Sequence, residues 1–169
     1  VKMLIESAIL FNADNRKIYL TEKFLSDHLS FKKLLIKNEI KIITISNKDF
    51  QKISNTTNPS GVAGICSIQK HELKKGTNSK LLYLNEISDP GNLGTIIRSA
   101  AYFNFVDILL SKNCVDPYNP KVLRSGMGSH FKVNLFLNID IKTLRGDYTL
   151  IGADQRGKAY NKVKFQKKY

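Results

Sequence analysis

The sequence contains few cysteines, no long apolar run and no cluster of metal ligands. Its two cysteines, Cys66 and Cys114, lie far apart without paired spacing, which indicates reduced thiols in a cytoplasmic protein rather than a disulfide framework. No apolar run is long enough to span a membrane, and the first residues lack the features of a signal peptide. The three histidines have no metal-ligand spacing to either cysteine. We therefore expect neither a membrane segment nor a metal site.

Acidic residues are outnumbered by basic ones along the whole chain. There are 27 lysines and arginines against 14 aspartates and glutamates, which gives a net charge of +13 and a pI near 9.7. When the chain is divided after Lys80, both parts keep this excess. Such a balance is typical of proteins that bind a polyphosphate such as nucleic acid. A lysine-rich, AT-biased coding sequence would give the same composition, so charge alone leaves both explanations open.

Apolar periodicity predicts an alternation of helices and strands in the first part of the chain. We expect a helix over 1–10, a strand over Lys17–Leu20, a helix capped by Thr21 and running to about Asn38, a strand over Ile40–Ile45, a short helix capped by Ser46 and ending at Ile53, and a strand over Val62–Ile68. This alternation predicts a small α/β domain, to which we assign residues 1–76.

A second series of strands and helices follows a charged, turn-forming segment between His71 and Lys80, which we interpret as a linker. The pattern predicts a strand over 81–86, a glycine loop, a helix over 95–104, a strand over Val106–Leu110, a loop over Ser111–Asn119, a helix around Pro120–Met127, a strand over His130–Leu137 and a last apolar strand over Tyr148–Ala153. Helical spacing places the aromatic residues Tyr102, Phe103 and Phe105 in the core. The fold class is therefore α/β, with a second domain over residues 77–169.

One turn-forming segment of the second series contains the strongest candidates for ligand-binding residues. Its sequence is Asp89-Pro-Gly-Asn-Leu-Gly-Thr-Ile-Ile-Arg-Ser-Ala100. Gly91 and Gly94 allow a sharp turn, and Asn92 and Arg98 bring an amide and a permanent cation to the carboxyl end of a strand, where open α/β sheets bind ligands. The segment lacks the Lys-Ser/Thr ending of a P-loop and the third glycine of a dinucleotide fingerprint. A purely structural turn would explain the glycines but not the asparagine and the arginine.

Three stretches of the sequence together resemble one known family. The string Asn85-Glu-Ile-Ser-Asp-Pro-Gly-Asn-Leu-Gly-Thr-Ile-Ile-Arg-Ser-Ala100 is similar to the first signature motif of the SpoU/TrmH family of RNA ribose 2′-O-methyltransferases, which belong to the SPOUT superfamily. Downstream, residues Val115–Val133 resemble the family's intermotif segment, in which a Pro-Lys-x-x-Arg-x-x-x-Gly pattern precedes a strand. Upstream, Thr56–Ile65 resembles the segment that closes the family's N-terminal domain. The matches occur in the family's order and cover most of the chain.

This resemblance implies a fold, a reaction and two catalytic residues. It implies a small N-terminal α/β RNA-binding domain followed by the front half of a SPOUT (α/β knot) methyltransferase domain, and a homodimer that methylates ribosomal or transfer RNA with S-adenosyl-L-methionine as cofactor. Arg98 matches the family's catalytic arginine, and Asn92 matches the asparagine that shapes the same loop. The family's arginine is regarded as a base, but a guanidinium stays protonated in proteins. We expect Arg98 to clamp a phosphate and stabilise the nascent alkoxide; the alternative is a structural ion pair with Asp89 or Glu86.

Further residues are candidates for contacts with the RNA. Arg124, Ser125 and Ser129 lie in the intermotif segment and are expected to contact the RNA backbone. In the N-terminal domain, we expect basic side chains near the substrate: Lys32, Lys33, Lys37 and Lys41. For Arg124 and for each lysine, a solvated face explains the sequence equally well.

The resemblance also implies that the sequence is incomplete at both ends. The family's later Gly-Asn-Glu and Ser-Leu-Asn-Val motifs form the C-terminal trefoil knot that holds S-adenosyl-L-methionine, and neither occurs here. The cofactor-binding residues are therefore expected beyond Tyr169, and the 169-residue chain alone is expected to have little or no activity. The alternative is a non-catalytic RNA-binding module related to these methyltransferases. A small-molecule nucleotide enzyme would need a phosphate loop that Gly91–Gly94 does not supply.

Overall fold

The described part of the chain contains two three-stranded sheets. The computed structural model describes residues 5, 17–54, 56–68, 71–73, 80–153, 155–159 and 162. The first sheet lies within residues 17–65 and the second within residues 81–136. We refer to the described residues of 17–68 as the first unit and to those of 80–159 as the second unit. No helix in these ranges is long and apolar enough to cross a lipid bilayer.

The first unit is a mixed sheet whose apolar residues pack against helices. Its elements are β1 (Lys17–Leu20), α1 (Glu22–Asp27), α2 (Leu29–Lys37), β2 (Lys41–Thr44), α3 (Asn47–Ile53) and β3 (Val62–Ile65). The central strand β1 pairs in parallel with β2 and antiparallel with β3. The buried core consists of Ile5, Ile18, Leu20, Phe24, Phe31, Leu35, Ile40 and Val62. The strands predicted over Lys17–Leu20 and Ile40–Ile45 and the Ser46 cap are confirmed, whereas the strand predicted over Val62–Ile68 ends at Ile65. Of the helix predicted over 1–10, only Ile5, which is helical, lies within the described residues.

The single helix predicted from Thr21 to Asn38 is divided at His28. Thr21 caps α1 as expected, because its Oγ1 accepts the backbone N–H of Phe24 at 3.2 Å. At His28 the backbone leaves the helical region, with φ −133° and ψ 57°. The imidazole stacks on Phe24 with 4.1 Å between ring centroids, and its Nδ1 lies 3.1 Å from the Phe24 carbonyl oxygen. The side chain thus takes the acceptor that the backbone amide of His28 would use in a continuous helix.

The second unit is an all-parallel sheet with both connecting helices on one face. Its elements are β4 (Leu81–Leu84), α4 (Pro90–Tyr102), β5 (Asp107–Leu110), α5 (Pro120–Gly126) and β6 (Asn134–Phe136), with 3-10 turns at Ser129–Lys132 and Ile141–Leu144. The strand order is β4-β5-β6. Both helices connect neighbouring parallel strands and lie on one face of the sheet, where they pack against each other. That core includes Leu84, Leu93, Ile97, Ile108, Val122 and Leu135. On the opposite face, the core consists of Leu109, Phe136 and Leu144.

The segment predicted as a glycine loop is the first turn of α4. Asp89 caps the helix, because its Oδ1 accepts the backbone N–H of Asn92 at 2.7 Å. Pro90 occupies the first helical position, where no amide hydrogen is needed. The helix therefore begins at Pro90 rather than Thr95, and the prediction of a loop there is wrong. Gly94 is buried within a helix instead of forming a turn.

The prediction of a strand over His130–Leu137 is wrong for the first half of this range. Met127 and Gly128 are both left-handed, with φ of 51° and 87°, and they reverse the chain at the end of α5. The next residues form the 3-10 turn Ser129–Lys132, so β6 begins only at Asn134. Residues 149–153 also form no strand; in the described chain beyond Leu144 there is only an isolated bridge between Arg145 and Tyr148.

The prediction that Tyr102 and Phe103 lie in the core is wrong. Their side chains are 83% and 69% exposed, and their rings contact each other edge to face with 5.1 Å between centroids. Phe105, in contrast, is partly buried against the core. The buried side of α4 is formed by Leu93, Gly94, Ile97 and Ala100, and Tyr102 lies outside it. Helical spacing defines the faces of α4, but the neighbouring elements decide which face is covered.

Candidate active site

The carboxyl ends of β4, β5 and β6 meet at one edge of the second sheet because the three strands are parallel. At this edge, the loops after β5 and β6 enclose a cleft of about 260 Å³. Its lining combines apolar and polar residues: Leu110, Ser111, Cys114, Val115, Asp116, Pro117, Leu137 and Asn138. Open α/β sheets bind ligands in this position, so we place the candidate site here and at the adjoining helix α4. No group of three potential metal ligands occurs in the described part of the chain.

Hydrogen bonds between the loops fix the shape of this edge. The hydroxyl of Ser111 accepts the backbone N–H of Glu86 at 2.9 Å, which joins the loop after β5 to the loop after β4. The N–H of Val115 donates to the carbonyl of Ile87 at 2.8 Å. The N–H of Ile139, in the loop after β6, donates to the carbonyl of Leu110 at 2.9 Å. Each loop is therefore bonded to a neighbour, and the cleft is preorganised.

The two predicted catalytic residues lie on different sides of α4. Asn92 is in the first turn, beside the Asp89 cap, and Arg98 follows in a later turn. Six residues of helix separate them by about 9 Å along the axis and about 120° around it. Both side chains are exposed. Asn92 thus lies at the end of α4 that follows the carboxyl end of β4, whereas Arg98 faces the end of α5.

Arg98 contacts the end of α5 through a sulfur atom. Its Nη1 donates to the Sδ of Met127 at 3.0 Å. Within the described residues Arg98 forms no ion pair, so the alternative in which Asp89 or Glu86 neutralises it is not what the structure shows. The guanidinium keeps its charge and most of its donors, which suits an anionic partner such as a phosphate.

The crossing of α4 and α5 leaves no room for a side chain at Gly94. A Cβ at this position would overlap Ser125 Oγ and lie 2.6 Å from the carbonyl oxygen of Val122 and 2.9 Å from the backbone nitrogen of Gly126. The two helices therefore approach as closely as their main chains allow. This contact fixes the position of α4 relative to the end of α5.

The three predicted RNA contacts of the intermotif segment have different surroundings. Arg124 is exposed on α5. Ser125 is half-buried, and its hydroxyl lies 3.0 Å from the carbonyl oxygen of Lys121 and 3.4 Å from that of Pro90 at the start of α4. Ser129 is buried at the start of its 3-10 turn. This placement leaves Arg124 accessible to a ligand and gives both serines a part in packing.

His130 belongs to this site, although the sequence offered no sign of it. Its Nε2 lies 2.8 Å from the carbonyl oxygen of Pro117, which lines the cleft. The ring packs against Gly126, and Nδ1 is buried without a hydrogen-bond partner among the described residues. Nε2 therefore carries the hydrogen and donates it. Burial lowers the pKa of His130, and the bond to Pro117 only partly opposes this. No spacing pattern marks the residue, because folding alone brings it to Pro117.

We predict that acidification destabilises the chain through His130. Because burial lowers the folded-state pKa below the ordinary value of 6.5, the unfolded chain binds more protons, and stability falls as the pH drops through that value. The loss levels off below the folded-state pKa. Thermal unfolding from about pH 7.5 to about pH 5 measures the effect. His130→Gln keeps a donor for Pro117 but does not titrate, so its midpoint should fall less. Equal pH dependence in both proteins would contradict this role.

Lys32 and Lys33 lie in the first unit, on the exposed side of α2. The helix buries Phe31 and Leu35, and both lysines point away from that core. No acidic residue occurs in α2. The two lysines therefore form a positive surface that no carboxylate of the same helix neutralises.

Two family models match the chain. Residues 79–169 match the model described as the SpoU rRNA Methylase family, and residues 3–72 match the model described as RNA 2′-O ribose methyltransferase substrate binding. The chain is 32% identical over 153 residues to rRNA methyltransferase 3, mitochondrial, of Homo sapiens, with 85% of this chain and 36% of the relative covered. It is 29% identical over 160 residues to the 23S rRNA (guanosine(2553)-2′-O)-methyltransferase RlmP of Bacillus subtilis, with 86% and 64% covered. The chain thus spans less than two thirds of either relative.

Solved structures show the same fold. An rRNA methyltransferase from Sinorhizobium meliloti superimposes with a TM-score of 0.66 at 21% identity, over 85% of this chain and 54% of that one. The SpoU methyltransferase AviRb from Streptomyces viridochromogenes, solved in complex with AdoMet, superimposes with a TM-score of 0.67 at 17% identity, over 85% and 55%. The likeness confirms the predicted α/β fold class.

Proposed function

Since this chain belongs to the SpoU rRNA methylase family, we propose that the whole protein transfers a methyl group from S-adenosyl-L-methionine to a ribose 2′-hydroxyl of ribosomal or transfer RNA. The observation that carries this proposal is the environment of Arg98. Its guanidinium is exposed, makes no ion pair in the described residues, and projects from the helix that follows the carboxyl end of β4. Both curated relatives are named as rRNA methyltransferases, which favours ribosomal RNA as the substrate.

A ribose hydroxyl must lose its proton to become a good nucleophile. When bound, S-adenosyl-L-methionine supplies an electrophilic methyl group on a positively charged sulfur. Arg98 stays protonated, so it acts as a donor rather than as a base. Its planar fork binds a substrate phosphate and stabilises the negative charge that develops on the 2′-oxygen as the proton passes to solvent water. Asn92 lies in the first turn of α4, at the carboxyl end of β4.

The cleft at the carboxyl edge fits a part of the cofactor. Its volume of about 260 Å³ lies below the roughly 300–1,000 Å³ of typical small-molecule sites. Apolar walls from Leu110, Val115 and Leu137 and polar groups from Ser111 and Asn138 suit a nucleoside, which is apolar on its faces and polar at its edges. We propose that these residues form one wall of the pocket and that the other cofactor-binding residues lie beyond Tyr169.

The two domains have separate tasks in this proposal. Residues 1–76 bind the RNA and residues 77–169 belong to the methyltransferase domain. The exposed lysines of α2 support the first assignment, because an uncompensated cationic helix face attracts the phosphate backbone. Arg124, exposed near the end of α5, supplies a further phosphate contact in the second domain.

Replacing Lys32 and Lys33 together by alanine is expected to weaken RNA binding about tenfold near 0.1 M salt, because each lysine that neutralises a phosphate releases a counterion. The slope of log K against log salt should decrease by about two. Filter binding of the full-length protein to ribosomal RNA measures both. The control Lys48→Ala with Lys52→Ala removes the same charge from α3, where Lys52 already pairs with Asp49 at 2.9 Å. An equal loss in both variants would mean that net charge, and not the α2 surface, determines binding.

The reaction is tested with full-length protein, S-adenosyl-L-methionine carrying a labelled methyl group, and ribosomal or transfer RNA from cells that lack the protein. A 2′-O-methylated ribose resists alkaline cleavage, so label in alkali-resistant dinucleotides would support the proposal. RNA binding without methyl transfer would instead identify a non-catalytic RNA-binding module. The 169-residue chain, assayed in parallel, is expected to transfer little or no label.

The assembly and the location of the protein are also proposals. The family resemblance implies a homodimer, and light scattering of the full-length protein would give twice the mass of one chain. We propose a cytoplasmic location from the unpaired cysteines Cys66 and Cys114. One curated relative is named as a mitochondrial protein, so cell fractionation is the measurement that decides between the two compartments.

A further inference from the structure

The end of α5 holds a methionine in a conformation that usually belongs to glycine. Met127 has φ 51° and ψ 38° and follows Gly126, the last residue of the helix. Left-handed residues at helix ends are ordinarily glycines, because a Cβ is crowded in this region. A methionine here costs free energy relative to glycine, which raises the question of what its side chain contacts.

Burial of the Met127 side chain is only partial. The Met127 side chain is 42% exposed, and its sulfur accepts a hydrogen bond from Nη1 of Arg98 at 3.0 Å. Arg98 lies on α4 and Met127 at the end of α5, and the crossing of these helices at Gly94 has no free space. The backbones that carry the two side chains are therefore held in a fixed relation to each other.

We propose that Met127 is a positioning residue for Arg98. A thioether is a neutral and weak acceptor, so it orients the guanidinium without neutralising its charge. A phosphate oxygen accepts a charge-assisted hydrogen bond far more strongly, and the other N–H donors of the guanidinium stay available for it while Nη1 keeps its contact with the thioether. A carboxylate in the same place would compete with the RNA. The inference rests on the proposed function, since the orientation of Arg98 matters for catalysis only if Arg98 contacts the RNA.

Two substitutions distinguish the effect of the Met127 side chain from the effect of its left-handed backbone. Met127→Leu keeps a similar volume and the left-handed backbone but offers Arg98 no acceptor. Met127→Gly removes the side chain and relieves the backbone. The matched control is Asn104→Gly, because Asn104 is also left-handed, with φ 60°, and follows the other end of α4 without a hydrogen bond to Arg98.

In the full-length protein, both Met127 variants are expected to lower kcat for RNA methylation about threefold to tenfold, the usual effect of one lost hydrogen bond. The KM for S-adenosyl-L-methionine should not change. The thermal midpoint should stay equal or rise in Met127→Gly, as in Asn104→Gly, so the loss of activity does not come from unfolding. Asn104→Gly should keep the wild-type kcat.

The orientation of Arg98 is also measured directly by ¹⁵N NMR of its Nε–H group, assigned by its disappearance in Arg98→Lys. In the absence of RNA, this signal should lie apart from those of freely rotating arginines and should move towards them in Met127→Leu. A wild-type kcat together with an unmoved signal in Met127→Leu would overturn the inference. If the wild-type protein does not methylate RNA, the proposed function fails, whereas the Arg98 signal still decides whether Met127 orients it.

Discussion

Gly94→Ala is expected to destabilise the second unit by about 3 kcal/mol or more, at the upper end of the usual cost of overpacking. The new methyl group would overlap Ser125 Oγ and would lie 2.6 Å and 2.9 Å from main-chain atoms of Val122 and Gly126. Because two of these three neighbours are main-chain atoms of α5, rotation of a side chain cannot make room. Urea unfolding, followed by circular dichroism, measures the change in the free energy of unfolding.

Gly91→Ala is the matched control, because it adds the same methyl group one turn earlier in α4. There the Cβ meets only the Oδ1 of Asp89, at 3.1 Å, so this exposed carboxylate has to shift by only a few tenths of an ångström and can keep its bond to Asn92. Alanine favours a helix over glycine by about 1 kcal/mol, so Gly91→Ala should be neutral or slightly stabilising. Equal stabilities of the two variants would show that α4 and α5 do not cross this closely in solution.

Arg98→Ala is expected to reduce methyl transfer by the full-length protein about 10²- to 10³-fold, the usual cost of removing a donor that stabilises developing negative charge. Arg98→Lys keeps the charge but loses the planar fork of donors, so most of the loss should remain. The measurement is kcat for transfer of labelled methyl groups to RNA. The free energy of unfolding should hardly change, because Arg98 is exposed and has no ion pair within the described residues.

Arg145→Lys is the control for these variants. Arg145 is an exposed arginine of the same unit that directly follows the last 3-10 turn, and its replacement should leave kcat unchanged. A wild-type kcat in Arg98→Lys would contradict the proposal that the planar fork of guanidinium donors is needed and would mean that a single positive charge is sufficient. A wild-type kcat in Arg98→Ala would remove the residue from the mechanism altogether.

Local signals in the sequence predicted most of the elements. Thr21 and Ser46 were identified as caps because a cap bonds to an amide only three residues away. Asp89 and Pro90 are signals of the same kind, but the start of α4 was missed because two nearby glycines favoured a loop. Gly94 is a glycine because of α5, which lies far along the chain. A requirement set by a distant element leaves no local pattern.

The unpredicted parts of the site come from contacts between distant segments. Met127 meets Arg98, and His130 meets Pro117, only when α5 and its following turn have packed. The resemblance to a family made Arg98 and Asn92 the candidates for catalysis but carried no information about how their side chains are supported. The error at Tyr102 has a related cause, because helical periodicity separates the faces of a helix without showing which of them a partner covers.

The close crossing at Gly94 also restricts how this chain can change during evolution. Replacing Ser125 by glycine would remove one of the three contacts that a larger residue at position 94 makes, but the main-chain atoms of Val122 and Gly126 would remain. No single compensating substitution in α5 therefore makes a larger residue acceptable there. Such a residue would require α5 to move away from α4, and Arg124 and Met127 would move with it.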